Sequence, residues 1–173
     1  DNLGNHSRVY EKGAQCFTAG KGIEHSEMPD LNGSTTGIQL WVNLPQRLKT
    51  LDPDYQQVDA ESIPEQKIEG GVVRTIVGDG SPLQLHTPVQ YQDVSLQQGA
   101  KLANNIPDGF QGLLYVVEGE LNVNEQTLPA GSAVFFDDTD KVLSVYAQRA
   151  SRYMLCLGQP HKEPIHQWGP FVD

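Results

Sequence analysis

The stretch TAGKGIEHSEMP, residues 18–29, contains a histidine and a glutamate two positions apart, His25 and Glu27. Residues i and i+2 of a β-strand point to the same face of the sheet, so this spacing predicts that both side chains face the same way. An imidazole nitrogen and a carboxylate oxygen are common ligands of iron and other transition metals. Two protein ligands do not complete a metal site, so further ligands must be sought elsewhere in the chain.

The remaining histidines lie in contexts that favour ordinary roles over metal binding. His6 lies in a polar turn after Gly4 and is expected to be solvated, although it could swing in as a substitute ligand. His86 lies two positions before a proline and is expected to have a structural or surface role. His161 and His166 flank a Glu-Pro-Ile segment that begins at Glu163. We favour a tail that returns to the first part of the chain over a site at this segment.

Three further sets of residues could carry chemistry, and each has a simpler interpretation. Cys16 and Cys156 lie far apart in apolar, strand-like segments, and the chain has no Cys-x-x-Cys motif, so two reduced, buried thiols are expected. Trp41 could line a ligand pocket, but packing of its ring between a β unit and the adjoining linker is favoured. An acidic surface loop is favoured over a hard-cation site for Asp137, Asp138 and Asp140.

Composition and charge limit the classes of function. The 173 residues include 12 Lys+Arg and 22 Asp+Glu, which gives a formal net charge of −10. A surface this acidic repels phosphate backbones, so direct nucleic-acid binding is not expected, whereas binding to a protein partner stays open. The longest apolar runs are far shorter than the roughly 20 residues that cross a bilayer, so no membrane insertion is predicted. We expect a cytoplasmic protein, with a nuclear location open for a eukaryotic source.

The elements that must position His25 and Glu27 are predicted to be β-strands. Period-two alternation and short apolar runs between glycines and prolines predict strands over residues 37–45, 71–78, 89–96, 112–123, 132–137 and 151–158. No long stretch has the 3.6-residue period of a helix. The predicted fold class is therefore all-β, as a sandwich or barrel. A polar region with two prolines, residues 46–67, is expected to link two β units.

One segment of the second unit has a more specific pattern. Residues 116–136, VVEGELNVNEQTLPAGSAVFF, read as strand, glycine, strand, turn, Pro-x-Gly and strand, which is typical of a cupin. Cupins with a working metal site carry histidines on the strands around this pattern. Neither residues 106–117 nor residues 135–147 contain one, so the second unit is expected to be free of metal.

Four motifs together resemble the pirin family of bicupins. They are FTAGKGIEHSE at residues 17–27, GIQLWVNLP at residues 37–45, Pro53 with Tyr55, and LGQPHKEPIHQWGPFV at residues 157–172. The matches follow the order of the family and cover nearly the whole chain.

The resemblance implies two stacked cupin domains. Residues 1–58 would be the N-terminal, metal-binding cupin, residues 59–67 the linker, and residues 68–173 the metal-free C-terminal cupin, whose tail packs back on the first domain. The resemblance also implies one Fe(II), or another divalent metal, held by three histidines and one glutamate. By its place in the motif, His25 corresponds to the third histidine ligand and Glu27 to the glutamate ligand.

The chain departs from the family pattern at both ends. The first two histidine ligands of the family come from a His-x-His strand before a turn that resembles DNLGN, residues 1–5. Family members also continue past GPFV, residues 169–172. We therefore expect a fragment with an incomplete N-terminal cupin that is inactive or poor in metal. Its exposed sheet edges are expected to be covered by a homodimer contact, a swapped strand or partial disorder.

Two functions follow from the resemblance, and the residues do not decide between them. The first is a metal-dependent dioxygenase that acts on flavonols such as quercetin, in which Glu27 accepts the proton of the 3-hydroxyl group. The alternative is a non-enzymatic, iron-dependent co-regulator of transcription that binds a protein partner. A third interpretation regards these 173 residues as an inactive proteolytic core preserved by its second unit.

Overall fold

The structure of the protein is a computed structural model, which describes residues 1–29, 36–168 and 171–172. Within these residues it has fourteen β-strands and two short 3₁₀ helices, Gln46–Leu48 and Ala60–Ser62. The strands are β1 (Ala14–Thr18), β2 (Asp54–Val58), β3 (Glu65–Ile68), β4 (Gly71–Val77), β5 (Val89–Leu96), β6 (Lys101–Asn105), β7 (Gln111–Glu118), β8 (Glu120–Val123), β9 (Gln126–Pro129), β10 (Ala133–Phe136), β11 (Val142–Ala147), β12 (Ser151–Gly158), β13 (Gln167–Trp168) and β14 (Phe171–Val172). The predicted all-β class is confirmed. Across the described ranges, no helix is both long and apolar enough to cross a membrane.

The second unit, from β3 to β12, is a sandwich of two antiparallel sheets. One sheet has the strand order β10-β7-β12-β5-β4-β3 and the other the order β6-β11-β8-β9. Alternation along β11 buries Leu143, Val145 and Ala147 and leaves the intervening side chains exposed. The inward-facing side chains of both sheets meet in one core, as in other two-layer β folds. Its largest fully buried members are Tyr153, Leu114, Leu121, Leu143, Leu155, Leu157, Val94, Val116 and Val123.

The first unit contributes a two-stranded ribbon in which β1 pairs with β2. One face of the ribbon packs on the second unit. There Val58 forms a small buried cluster with Ile63 and Leu83, and Cys16 packs against this cluster. The Gln56 side chain adds two hydrogen bonds to the backbone of Gln84, at 2.8 and 3.0 Å. Within the described residues this unit does not close into a barrel, and the covering of its edges by a second copy stays a prediction.

The strand predictions for the second unit are confirmed. β5 and β12 span the predicted ranges, and β4 and β10 lie within theirs. The long predicted strand 112–123 forms β7 and β8, with a break at Gly119. These segments could be predicted because one face of each strand meets the core, so that alternation in sequence reports burial.

Two expectations about the first unit are wrong. Residues 37–45, all within the described range 36–168, form no strand, and Trp41 is 63% exposed rather than packed between a unit and a linker. Residues 46–67 are more than a linker, because they contain β2 and also β3, the edge strand of the six-stranded sheet. An alternating segment becomes a strand only where a neighbouring backbone offers hydrogen bonds, and no described strand pairs with residues 37–45. The division into domains at residues 59–67 stays a prediction.

Candidate metal site

A tight turn at residues 19–22 reverses the chain between β1 and the segment that carries the two predicted ligands. The amide of Gly22 donates to the carbonyl of Ala19 at 2.8 Å. Gly20 has a φ of 51°, and a Cβ atom at this position would lie 2.1 Å from the carbonyl oxygen of Leu51. The turn therefore requires glycine on both conformational and steric grounds. It sends the following residues back along β1.

The returning segment places both predicted ligands against one face of β1. The His25 ring lies on the Phe17 ring, with 4.3 Å between the ring centroids and 40° between the planes. Two residues further on, the Glu27 carboxylate accepts a hydrogen bond from the side-chain amide of Gln15. The segment advances by two residues from His25 to Glu27, while their partners on β1 go back by two residues from Phe17 to Gln15. Antiparallel neighbouring segments pair in this way. The two side chains share a face, although the described residues 22–29 form no regular strand.

β2 extends this face on the other side of β1. The register pairs Phe17 with Tyr55 and Gln15 with Gln57, and the two aromatic rings are 5.0 Å apart. Two rows of side chains therefore cross the three chain segments. The aromatic row is His25, Phe17 and Tyr55, and the polar row is Glu27, Gln15 and Gln57.

The hydroxyl of Tyr55 connects the two rows. It lies 2.8 Å from Oε1 of Gln57 and 3.3 Å from Oε1 of Gln15. The hydroxyl oxygen of Ser7 is 2.6 Å from the hydroxyl oxygen of Tyr55. The side-chain amide of Gln57 donates to the carbonyl of Arg8 at 2.8 Å. The polar row is thus held by hydrogen bonds to both the ribbon and the N-terminal segment.

The chemistry of His25 and Glu27 fits a divalent transition metal. Both side chains are exposed, and they offer an imidazole nitrogen and a carboxylate oxygen on one face. Gln15 engages one oxygen of the Glu27 carboxylate and leaves the other for a ligand bond. Among the residues that the structure describes, no group of three or more His, Cys, Asp or Glu side chains is placed to hold a metal. The pair fits as part of a ligand set, and its role as ligands stays a prediction.

The other histidines take no part in these two rows. His6 and His166 are exposed. His86 and His161 line a groove of about 290 Å³ between the second unit and the chain around the first 3₁₀ helix. Nε2 of His161 lies 2.9 Å from the carbonyl oxygen of Asn43. The carboxylate of Glu163 accepts a hydrogen bond from the amide of Gln46 at 2.6 Å, so the tail contacts the chain next to this helix.

The cysteines and the acidic loop are bonded or buried in ways that explain them without a site. Cys16 and Cys156 are free thiols, each partly buried. Burial raises the pKa of both thiols, and the Asp54 carboxylate raises the pKa of Cys16 further, which disfavours reactive thiolate. Asp137 accepts hydrogen bonds from the hydroxyl and the amide of Thr139, which hold the pKa of that carboxyl below its ordinary value.

Sequence reasoning did not identify Gln15 as a site residue and noticed Tyr55 only as part of a family motif. The contacts of both depend on the register of β1 against β2 and on the turn at residues 19–22, which the sequence does not specify. The signal that the sequence does contain is the pair Gly20 and Gly22, which indicates a tight turn that can bring the following segment alongside residues 14–18.

Comparisons with known proteins place the chain among related sequences and structures. The family model described as Pirin matches residues 1–42, and the one described as Pirin C-terminal cupin domain matches residues 91–173. "Pirin-like protein 2" of Arabidopsis thaliana is 35% identical, and "Putative quercetin 2,3-dioxygenase" of Pseudomonas aeruginosa is 36% identical, each over 99% of this chain. The chain spans 57% and 65% of the lengths of these two relatives. A crystal structure of quercetin 2,3-dioxygenase from Acinetobacter baumannii matches with a TM-score of 0.72 and 29% identity, over 76% of this chain and 48% of that chain.

Proposed function

Because the chain belongs to the pirin family, we propose that it supplies part of the metal centre of a metal-dependent dioxygenase that acts on flavonols such as quercetin. His25 and Glu27 are the proposed metal ligands, and Glu27 is also the proposed base. The observation that carries this proposal is the placement of both side chains against one face of β1, on Phe17 and Gln15. The names of the Pseudomonas and Acinetobacter proteins support the substrate class.

Each residue of the site has a proposed task. A bound Fe(II), or another divalent metal, would supply Lewis-acid and redox chemistry at this face. Phe17 orients the imidazole of His25 by ring contact, and Gln15 orients the carboxylate of Glu27. That carboxylate can accept the proton of a substrate hydroxyl that comes within hydrogen-bond reach. Two protein ligands leave the set incomplete, so further ligands are part of the proposal.

Metal binding is tested by calorimetric titration of the chain with Fe²⁺ under anaerobic conditions. The expected result is that His25→Ala and Glu27→Gln each lower the Fe²⁺ affinity by at least about tenfold. Glu24→Gln is the matched control, because Glu24 is an exposed carboxylate of the same segment that takes no part in either row. Equal affinities in all three variants would contradict the assignment of the ligands.

Turnover is tested by the loss of quercetin absorbance in air. The chain is compared with a version extended at its N-terminus by the preceding segment of the Pseudomonas relative, to supply the His-x-His pair that the resemblance implies. Iron binding and quercetin loss in the extended protein, both abolished by Glu27→Gln, are expected. Iron binding without quercetin loss would instead favour the non-enzymatic co-regulator, and turnover in the unextended chain would contradict the expectation that it is inactive.

A further inference from the structure

We propose that Gln15 is a positioning residue that holds the carboxylate of Glu27 in one orientation, and that Tyr55 in turn holds Gln15. The consequence for metal binding rests on the proposed function, whereas the contact itself does not. Glu27 is exposed and lies in a described segment without regular strand pairing, so ladder hydrogen bonds do not fix its position. The contact that orients its carboxylate is the side-chain amide of Gln15, on the neighbouring β1.

The donors and acceptors of the network are consistent with one direction of hydrogen bonding. A carboxylate only accepts, so the amide nitrogen of Gln15 must face Glu27, and its amide oxygen then faces the hydroxyl of Tyr55. Gln57 is fixed in the same sense, because its amide nitrogen donates to the carbonyl of Arg8 and its oxygen faces Tyr55. Tyr55 has one hydroxyl proton, which it shares between the two amide oxygens, with Gln57 at 2.8 Å nearer than Gln15 at 3.3 Å.

The hydroxyl of Ser7 fits the same donor-to-acceptor order of hydrogen bonds. Since the Tyr55 proton points toward the amides, Ser7 must donate to the Tyr55 oxygen, which lies 2.6 Å away. Every group in the chain from Ser7 through Tyr55 to Gln15 thus points a donor toward Glu27. A side-chain amide held at both ends loses the rotational freedom that it would otherwise have on a partly exposed strand.

The geometry of the ribbon explains why this contact matters for a metal. Gln15 and Phe17 lie on one face of β1, two residues apart, and they contact Glu27 and His25 respectively. The ribbon therefore sets the position of both predicted ligands with one pair of side chains. Residues that orient a metal ligand typically change metal affinity by about 10- to 100-fold when they are removed. Because this site is exposed, we expect the lower end of that range for Gln15.

The contact is tested without metal by nuclear magnetic resonance of the folded chain. The side-chain NH₂ signals of Gln15 are identified by their absence in Gln15→Leu. If Gln15 donates to Glu27, these signals move in Glu27→Gln, and they also move in Tyr55→Phe, which removes the hydroxyl alone. Glu24→Gln should leave them in place. Signals of Gln15 that do not respond to Glu27→Gln would overturn the proposal.

The consequence is tested by titration of the N-terminally extended protein with Co²⁺, followed by its visible absorption. Gln15→Leu is expected to lower the Co²⁺ affinity about tenfold and Tyr55→Phe by less, whereas Gln66→Leu, which removes an exposed glutamine from β3, leaves it unchanged. In the Glu27→Gln background, Gln15→Leu should have no further effect, because Gln15 acts through Glu27. An equal loss in both backgrounds would indicate a purely structural role and overturn the proposal. An N-terminally extended protein that binds no Co²⁺ would count against the proposed function, while the metal-free spectra would still decide whether Gln15 holds Glu27.

Discussion

Asp93 is a buried carboxylate on β5 that contacts arginines from the two neighbouring strands. Its two oxygens accept hydrogen bonds from Nε and Nη2 of Arg152 on β12, each at 2.9 Å. Nη1 of Arg74 on β4 lies 3.7 Å away, and the other terminal nitrogen of Arg74 donates to the carbonyl of Lys12 at 2.8 Å. Asp93 is 5% exposed, so its charge depends on these partners for compensation. Arg74 thus connects this buried group in the six-stranded sheet to Lys12 of the N-terminal segment.

Asp93→Asn is expected to lower the free energy of unfolding by about 2–3 kcal/mol, because it removes charge from a two-point hydrogen bond in a buried site. The measurement is urea unfolding followed by far-ultraviolet circular dichroism. Asp108→Asn is the matched control, since Asp108 pairs with Lys141 at 2.9 Å but its side chain is 94% exposed. Little measurable change is expected there. Equal effects of the two substitutions would mean that burial does not strengthen the Asp93 contacts.

At the scale of single residues, the sequence singles out the two proposed ligands better than it predicts their surroundings. The two-residue spacing of His25 and Glu27 predicted a shared face on a strand. Both side chains do lie against β1, but the segment that carries them forms no regular strand, so that part of the prediction is wrong. The amide of Gln15 and the hydroxyl of Tyr55 could not be assigned, because their contacts come from strands 40 residues apart in sequence. Such contacts depend on register, which a periodic pattern leaves undetermined.

At the scale of elements, the turn at residues 19–22 decides whether the following segment, residues 23–27 with the two proposed ligands (the ligand segment), meets β1. Gly20→Ala would place a Cβ atom 2.1 Å from the carbonyl oxygen of Leu51, in a backbone conformation with a φ of 51°. We expect a loss of about 1–3 kcal/mol in the stability of this turn, with displacement of His25 from Phe17. The measurement is the ring-current shift of the His25 resonances, together with urea unfolding.

Gly37→Ala is the control for this substitution. A Cβ atom at Gly37 would meet no atom within 4 Å, and this residue lies outside the left-handed region. The His25 resonances should therefore keep their positions in Gly37→Ala. A shift of the same size in both variants would mean that the turn does not set the position of the ligand segment.

The strands that the sequence predicts correctly and the one that it predicts wrongly differ in what lies beside them. β5 and β12 pair with each other along their whole lengths, and their apolar residues Val94, Leu155 and Leu157 are fully buried, so these segments have both hydrogen-bonding partners and a core to cover them. Residues 37–45 have an equally regular alternation, yet Ile38 and Val42 are 46% and 39% exposed. A local pattern predicts which face of a strand is apolar. Whether that face is buried depends on whether another element of the fold packs against it.

At the scale of the whole molecule, the described residues contain two hydrophobic cores of unequal size. The larger one fills the sandwich of the second unit and includes Val94, Leu114 and Leu155, none of which is exposed to solvent. The smaller one lies under the β1–β2 ribbon and consists of Val58, Ile63 and Leu83 with partly buried neighbours. Because local stability follows buried apolar contacts, the ribbon should open at a lower free energy than the sandwich. We therefore expect the candidate site to lie on the less stable part of the molecule.

Leu155→Ala tests this separation by hydrogen exchange measured peptide by peptide. Leu155 is fully buried at the centre of β12, and its truncation is expected to cost about 2–5 kcal/mol. If the ribbon opens on its own, amides of β5, β7 and β12 exchange faster by about 30-fold or more, while amides of β1 and β2 keep their rates. Acceleration of both groups by the same factor would mean that the ribbon and the sandwich open only together. In that case the site would share the full stability of the second unit, and the position of Glu27 would depend on the large core as well as on Gln15.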